Sequence, residues 1–215
     1  LNEEHYLEKC LISLKNQEGC EDSEIIVVDG GSTDATVKIA ERYADRVLIS
    51  LKKSPSIQRN LGAKTATGNL LAFIDADTVA SEFWLKGIVE AFQDQSVVCA
   101  TGSLFSLEKI RRPYLYDLTN TLQRILVKLN YPLFWGASCA FRANAFRKIN
   151  GFDEKLLTSE DHDISLRIRK IGKVVFYDKI RAFTSHRKFL ENERKAFFSY
   201  VKDVLEYFFV RTLKA

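Results

Sequence analysis

Ile25-Ile26-Val27-Val28-Asp29-Gly30-Gly31-Ser32-Thr33-Asp34-Ala35-Thr36 is the stretch that decides the fold. Four consecutive branched apolar residues predict a short buried strand over 24–28. The strand ends on a carboxylate and a Gly-Gly turn. Ser32, Thr33 or Asp34 then caps a helix running to about Ala44. The same grammar recurs downstream. Leu70 to Ile74 reads as a strand ending in Asp75-Ala76-Asp77, and Ser81 starts a helix to about Phe92. Between the two units, Arg46 to Ser50 reads as a strand, and Ser54-Pro55 opens a helix that closes near Gly68. Val97 to Phe105 is a further strand. Strands apolar throughout and separated by helices predict an α/β fold with a mostly parallel central sheet covered on both faces.

Outward from this core, Asn2 caps a helix whose first turn holds Glu3 and Glu4, with Leu7, Cys10, Leu11 and Leu14 as its apolar stripe. Pro113 to Asn130 reads as a helix mixing aromatic and basic residues. Trp135-Gly136-Ala137-Ser138 is a turn before a short strand to Phe141. Ser159 caps a helix to about Lys170, and Lys173 to Tyr177 is a strand. From Glu191 to Leu213 the period is helical, with Phe197, Phe198, Val201, Val204, Leu205, Phe208 and Phe209 on one face. The domain reading is one unit over 1–188 and a C-terminal amphipathic helix over 189–215.

The chain has 215 residues, with 32 basic and 28 acidic side chains and a formal charge of +4. That excess is too small to point to nucleic acid. An apolar fraction of 46% argues against disorder, and the length suffices to bury a core without staples. Cys10, Cys20, Cys99 and Cys139 fit no zinc or C-x-x-C spacing, so reduced cysteines and a cytoplasmic setting are expected. No run approaches ~18 uncharged apolar residues, the length a bilayer span needs.

In open α/β sheets ligands bind beyond the carboxyl ends of the strands. Asp29, Asp75 and Asp77 sit at two such ends. A lone aspartate there is most simply a helix cap, and Asp34 fits that role. Two acidic strand ends on one edge repel unless a cation or a donor-rich ligand joins them. Mg²⁺ takes one or two protein carboxylates and fills its shell with water and phosphate, which suits Asp-Ala-Asp. A third cluster, Glu160-Asp161-His162-Asp163, complements a helix dipole, but that accounts for only part of so much acidity. One of these carboxylates acting as general base accounts for the rest. His186, followed by Arg187 and Lys188, is a candidate phosphate site. His5 reads as an exposed helix residue, and His162 stays open between core and site.

Taken together, Asn2-Glu3-Glu4, Val27-Val28-Asp29-Gly30-Gly31-Ser32-Thr33-Asp34-Ala35-Thr36, Arg59-Asn60-Leu61-Gly62-Ala63, Phe73-Ile74-Asp75-Ala76-Asp77-Thr78 and Glu160-Asp161 resemble the family 2 inverting glycosyltransferases of the GT-A fold. The similarity runs over roughly Leu1 to Lys188, and the order and spacing of five weak motifs make it specific. The resemblance implies a donor site built from Asn2, Glu3, Asp29, Gly31, Arg59, Asp75, Arg187 and Lys188. Within it Glu3 and Asp29 contact the nucleoside, and Arg59 lies beside the nucleotide or its diphosphate. It implies that Asp77, joined by His186, holds Mg²⁺ or Mn²⁺, and that Asp161 is the catalytic base. The donor would be a UDP- or GDP-linked sugar and the acceptor a glycan or lipid-linked hydroxyl. The Gln-x-x-Arg-Trp motif of processive synthases is absent after Asp161, so a single addition is expected.

Two other functions fit parts of the sequence. Phe73 to Val79 also matches the strand and D-x-D of a haloacid-dehalogenase-type phosphatase with Asp75 as phosphoryl acceptor, although that motif usually opens its domain. A nucleotide-sugar-binding domain without turnover is the non-enzyme alternative. A Rossmann oxidoreductase is disfavoured, since no G-x-G-x-x-G follows a strand. The basic and aromatic stretch from Ile110 to Trp135, with Arg111, Arg112, Arg124 and Lys128, is either a core-packing helix or a surface meeting lipid headgroups. The C-terminal helix, apolar also at Tyr200, Tyr207 and Val210, invites a dimer or peripheral membrane contact. The sequence contains no methionine and starts at Leu1. Given the resemblance, an apolar strand belongs before Asn2, so an open slot is expected in the sheet beside the Asp75 strand.

Overall fold

The computed structural model describes residues 1–109, 113–156 and 158–187. Ile110, Arg111, Arg112 and Lys188 lie outside the described residues, as does the C-terminal helix expected over 189–215.

The strands are β1 (Ile26–Asp29), β2 (Arg46–Ile49), β3 (Leu70–Ile74), β4 (Thr78–Ala80), β5 (Val97–Ser106), β6 (Ser138–Arg142) and β7 (Lys173–Thr184). The helices are α1 (Leu7–Lys15), α2 (Thr36–Tyr43), α3 (Pro55–Thr65), α4 (Trp84–Ala91), α5 (Tyr114–Lys128), α6 (Ala143–Lys148) and α7 (Glu160–Ile168). β1 and β2 pair in parallel, with Ile26 opposite Arg46. The other five strands form one sheet in the order β3-β6-β5-β7-β4.

The α/β architecture is the one expected, but its strand directions are not. In the five-stranded sheet β5–β7 is parallel, while β3–β6, β5–β6 and β4–β7 are antiparallel. The expectation of a mostly parallel sheet is therefore corrected to a mixed one. The physical reason is that an apolar run reports burial on both faces, and helices can cover both faces whichever way a strand runs. Among the described residues β1 is not bonded to β3, and β3 pairs with β6 alone, so no described strand joins the two sheets beside the Asp75 strand. Ile26, Val27 and Val28 are correspondingly only half-buried.

Two short elements, β4 and α6, escaped the periodicity argument because three and six residues carry too little of either period. β7 runs past Tyr177 to Thr184. The charged pair Asp178-Lys179 looks like a strand end, yet Ile180 and Ala182 alternate inward and are buried. α1 begins later than expected, with Tyr6 rather than Asn2 at its N-cap. Asn2 instead takes a left-handed backbone (φ 57°) and is used elsewhere.

The core has three parts. Phe73, Phe134, Phe141, Phe146 and Phe152 meet largely edge-on, with ring centroids 5.4–6.3 Å apart, between β3, β6 and α7. Trp84, Ile88 and Phe92 of the α4 region pack on Ile180 and Ala182 of β7, and Trp84 Nε1–H donates to Ser138 Oγ at 2.9 Å. Leu7 and Leu11 join Ala40 of α2 beside Val27 and Val47. Cys10, Cys99 and Cys139 are buried free thiols that pack as small apolar side chains.

Candidate active site

Three loops converge at one end of the strands. The first follows β1. Asp29 is 3% exposed, and its Oδ2 accepts from Gly31 N–H at 2.8 Å and Ser32 N–H at 2.7 Å, while Oδ1 accepts from the Ser32 hydroxyl. Burial alone would push this carboxyl up; the donors of Ser32 and Gly31 outweigh it and hold it below the usual carboxylate range. Gly31 supplies the left-handed residue of the turn at φ 87°. The segment after Leu1 is zipped onto this loop. Asn2 N–H donates to Ser32 Oγ and Thr33 N–H to Asn2 Oδ1, at 2.8 and 2.9 Å. Glu3 N–H donates to Thr36 Oγ1 at 2.7 Å, and Ala35 N–H to Glu4 Oε2 at 3.0 Å. Ala35, not Asp34, is the N-cap of α2, and Asp34 sits one residue earlier, accepting from Thr36 N–H at 3.0 Å.

The second loop joins β3 to β4 and carries Asp75 and Asp77. Asp77 meets the end of β7, since Ser185 N–H donates to Asp77 C=O at 2.9 Å and continues the β4–β7 ladder. Arg187 places one terminal nitrogen on both Glu3 Oε1 and Asp77 Oδ2, the latter at 3.1 Å, and its guanidinium covers the Tyr6 ring at 4.7 Å. The Glu3 hydrogen bond chiefly raises its pKa, with the Glu3 and Asp77 charges adding to it. Glu3 Oε2 is buried with no hydrogen-bond partner among the described residues. His186 Nδ1 lies 2.8 Å from Tyr116 Oη of α5, and His186 N–H donates to Glu108 Oε2 at 2.7 Å. Ser185 Oγ donates to the other Glu108 oxygen at 2.8 Å.

The third loop opens α7, and here the acidic run divides. Glu160 Oε1 pairs with Arg59 Nη1 at 2.8 Å. Asp163, fully buried, pairs with Arg167 at 2.6 Å, and Arg167 also donates to the Ile149 and Gly151 carbonyls, so this carboxylate is structural. His162 is likewise buried, 3% exposed, which places it with the core. Asp161 is held by N–H groups: Gly136 donates to Oδ2 at 2.9 Å and His162 to Oδ1 at 2.8 Å. Among the described residues it is the one of the three carboxylates that no guanidinium neutralises.

Arg59 is held between two carboxylates. Its side chain is 14% exposed, with Nη2 on Asp75 Oδ1 and Nη1 on Glu160 Oε1, both at 2.8 Å. Burial works against its charge, and Asp75 and then Glu160 more than offset that. Asn60 beside it exchanges hydrogen bonds with the Phe152 backbone, each 2.9 Å long. Gly136, Glu108, Tyr116 and Tyr6 were not singled out from the sequence. Only the Trp135-Gly136 turn carried any local signal; the others act through partners seventy or more positions away.

Residues 1–150 match the sequence pattern of the family described as "Glycosyl transferase family 2". The chain belongs to that family. Residues 117–188 also match the pattern described as the N-terminal domain of galactosyltransferase, which takes in most of α5, the Asp161 helix and β7. A pre-mycofactocin glycosyltransferase of Mycobacterium tuberculosis is 27% identical over 157 residues, covering 68% of this chain and 33% of that protein. A validoxylamine A glucosyltransferase of Streptomyces hygroscopicus is 27% identical over 205 residues, covering 78% of this chain and 45% of that protein. The matched part thus spans less than half the length of these relatives. Among solved structures, a mannosyltransferase of Pyrobaculum calidifontis in complex with GDP-Man and Mn²⁺ superposes with a TM-score of 0.71 at 21% identity, over 86% of this chain and 54% of the other. S. aureus TarS in complex with UDP-GlcNAc gives 0.68 at 20% identity, over 86% and 56%. The fold of this family 2 chain is therefore GT-A. Family and fold together set aside the dehalogenase-type reading of Asp75, whose carboxylate is in any case paired with Arg59.

Proposed function

We propose that this chain transfers a sugar from a nucleoside-diphosphate sugar to an acceptor hydroxyl with inversion, assisted by Mg²⁺ or Mn²⁺. The observation that carries the reading is Asp161. It lies at a helix start, 18% exposed, oriented by Gly136 N–H and not neutralised by a guanidinium among the described residues. A carboxylate held this way keeps a lone pair for a proton. It would take the acceptor hydroxyl's proton as that oxygen attacks the anomeric carbon from the face opposite the leaving diphosphate. A single displacement of that kind inverts the centre.

The donor side has matching features. Glu3 Oε2 is a buried acceptor in need of a donor, as a ribose hydroxyl or base N–H would supply. Asp29 and Gly31 shape the loop beneath it. Arg187 brings positive charge to the loop of Asp77. The two structural neighbours named above hold nucleotide sugars, GDP-Man and UDP-GlcNAc, which supports a UDP- or GDP-linked donor.

The residues also suit a divalent cation. Asp77 C=O accepts from Ser185 N–H at the end of the β4–β7 ladder, so His186 is the next residue along from Asp77's partner, and the two offer an oxygen and a nitrogen ligand of the kind Mn²⁺ and Mg²⁺ accept. Among the described residues no cluster of three or more metal-ligating side chains occurs. Two protein ligands leave positions for diphosphate oxygens, and the bound ion would stabilise negative charge on the leaving group.

The acceptor is read as a glycan or lipid-linked hydroxyl. Among the described residues no helix is long and apolar enough to cross a membrane. The outer face of α5 exposes Tyr114, Leu118, Leu122 and Ile125, with Leu129 at its C-cap exposed beside them, which supports contact with a lipid-bearing acceptor at a membrane surface.

A thermal-shift panel of UDP, GDP and their sugars, with and without Mn²⁺, tests the reading. Ligands that bind the folded state raise its stability by mass action. One base is expected to stand out, with a Mn²⁺-dependent increment that Asp77→Ala removes. No shift with any nucleotide would overturn the proposal. A shift with neither hydrolysis nor transfer across an acceptor panel would leave a binding domain without turnover.

A further inference from the structure

The geometry points to Arg59 as a positioning residue, one that orients Asp161 through Glu160 and Gly136 instead of binding the donor. This rests on the reading of Asp161 as the base. Three observations carry it. First, the two terminal nitrogens of Arg59 each hold a carboxylate at 2.8 Å, Asp75 at the end of β3 and Glu160 at the start of α7. The guanidinium thereby clamps the first carboxylate of the Asp-Ala-Asp loop to the residue preceding Asp161. Second, the clamp is itself fixed. The guanidinium lies over the Phe152 ring at 5.3 Å, and Asn60, the next residue, holds the Phe152 backbone from both sides. Third, Gly136 fills the narrow gap between Arg59 and Asp161. A Cβ built on it would stand 3.1 and 3.2 Å from the two terminal nitrogens of Arg59 and 3.3 Å from Asp161 Cβ. The same Gly136 donates the N–H that orients Asp161 Oδ2.

Arg59 therefore borders the peptide that aims the base and grips the residue beside it. Its forked, planar guanidinium suits a two-carboxylate clamp, which a single ammonium cannot reproduce. Removing it would leave Asp75 and Glu160 as mutually repelling carboxylates beside Asp161 and release the start of α7. Small misplacements of a reacting group cost on the order of 10²-fold in rate.

The test compares Arg59→Gln, Arg59→Lys, Glu160→Gln and the Arg59→Gln/Glu160→Gln double variant. Donor turnover is measured together with UDP and GDP affinity by calorimetry. The expected result is a fall in kcat of ~10–10²-fold for both single Gln variants, with nucleotide affinity kept within about threefold. The double variant should lose no more than the worse single one, because both act along one path. If Arg59→Gln does not fold, Arg59→Lys keeps the charge, and its kcat should fall at unchanged nucleotide affinity. Tenfold weaker nucleotide binding with kcat retained would overturn the inference and make Arg59 a donor ligand. Losses that multiply in the double variant would overturn it too. If the wild-type protein itself binds nucleotide but turns nothing over, it is the reading of Asp161 that fails.

Discussion

Gly136 donates its backbone N–H to Asp161 Oδ2 at 2.9 Å across twenty-five positions. The bond turns one acidic residue of a helix start into an oriented group, while Glu160 and Asp163 on either side are spent on arginines. Asp161→Asn keeps an oxygen for Gly136 N–H but has no lone pair of useful basicity. Transfer should fall ~10²–10⁴-fold with donor affinity largely retained. Near-normal turnover would remove Asp161 from the role.

Gly136→Ala tests the same contact from the other side. The added methyl would press on both Arg59 and Asp161 at 3.1–3.3 Å, so one of them must shift. Turnover should drop roughly tenfold or more, as expected when a reacting group is displaced. The melting temperature should move little, because the backbone there does not require glycine's left-handed region. A large loss of stability at unchanged rate would contradict this.

Tyr116 meets His186 Nδ1 at 2.8 Å, and burial pushes the Tyr116 phenol up to about 12, so it stays protonated at neutral pH. The Tyr116 contact on Nδ1 fixes the orientation of the imidazole ring, which a metal-binding histidine needs. Tyr116→Phe should weaken Mn²⁺ affinity ~10-fold or more, measured as the Mn²⁺ dependence of nucleotide binding. Identical Mn²⁺ titrations for the two proteins would detach His186 from metal binding.

Gly102 stands where β5 and β7 shift register, and a Cβ there would lie 1.8 Å from the Ile180 carbonyl oxygen. Backbone cannot yield as a flexible side chain does. Gly102→Ala should cost about 3 kcal/mol or more, lowering the melting temperature by roughly 6–12 °C. A shift under 2 °C would show that the two strands separate more easily than their spacing implies.

Asp29 gives a pH signature. Its folded pKa is depressed: burial opposes the charge, but the donors of Ser32 and Gly31 prevail. A depressed carboxyl stabilises the fold above the unfolded pKa of about 3.9, and the contribution is lost as pH falls through the folded value. Asp29→Asn should therefore melt lower than wild type at pH 7, and the gap should narrow below about pH 4. A gap independent of pH would mean that packing of the loop, not charge, sets its stability.

Much was legible in the sequence. The runs at 24–28, 70–74 and 97–105 became strands within a residue or two, and the helices opened by Pro55 and Ser159 formed where their start signals stood, while the helix expected from Ser81 begins at Trp84. Asp29, Asp75 and Asp77 do end strands or follow them. These features are local, because apolar period and capping chemistry act within a few residues. The order of five motifs likewise sufficed for the family.

Other features exist only once the chain is folded. The direction of β6 relative to β3 and β5 leaves no mark on an apolar run, so a parallel sheet was expected where a mixed one formed. Nor can Glu160, Asp161 and Asp163 be told apart from composition. Their partners lie at Arg59, Gly136 and Arg167, and those contacts leave Asp161 for chemistry. The family resemblance implies that Arg59 lies beside the nucleotide or its diphosphate. Burial between Asp75 and Glu160 gave it carboxylates of its own. The sequence by itself determined which elements form and which residues carry charge to one end of the sheet. Tertiary structure decided that Arg59 neutralises Glu160 and that Arg187 meets Asp77, since those pairs close to 2.8 and 3.1 Å across 101 and 110 positions of chain.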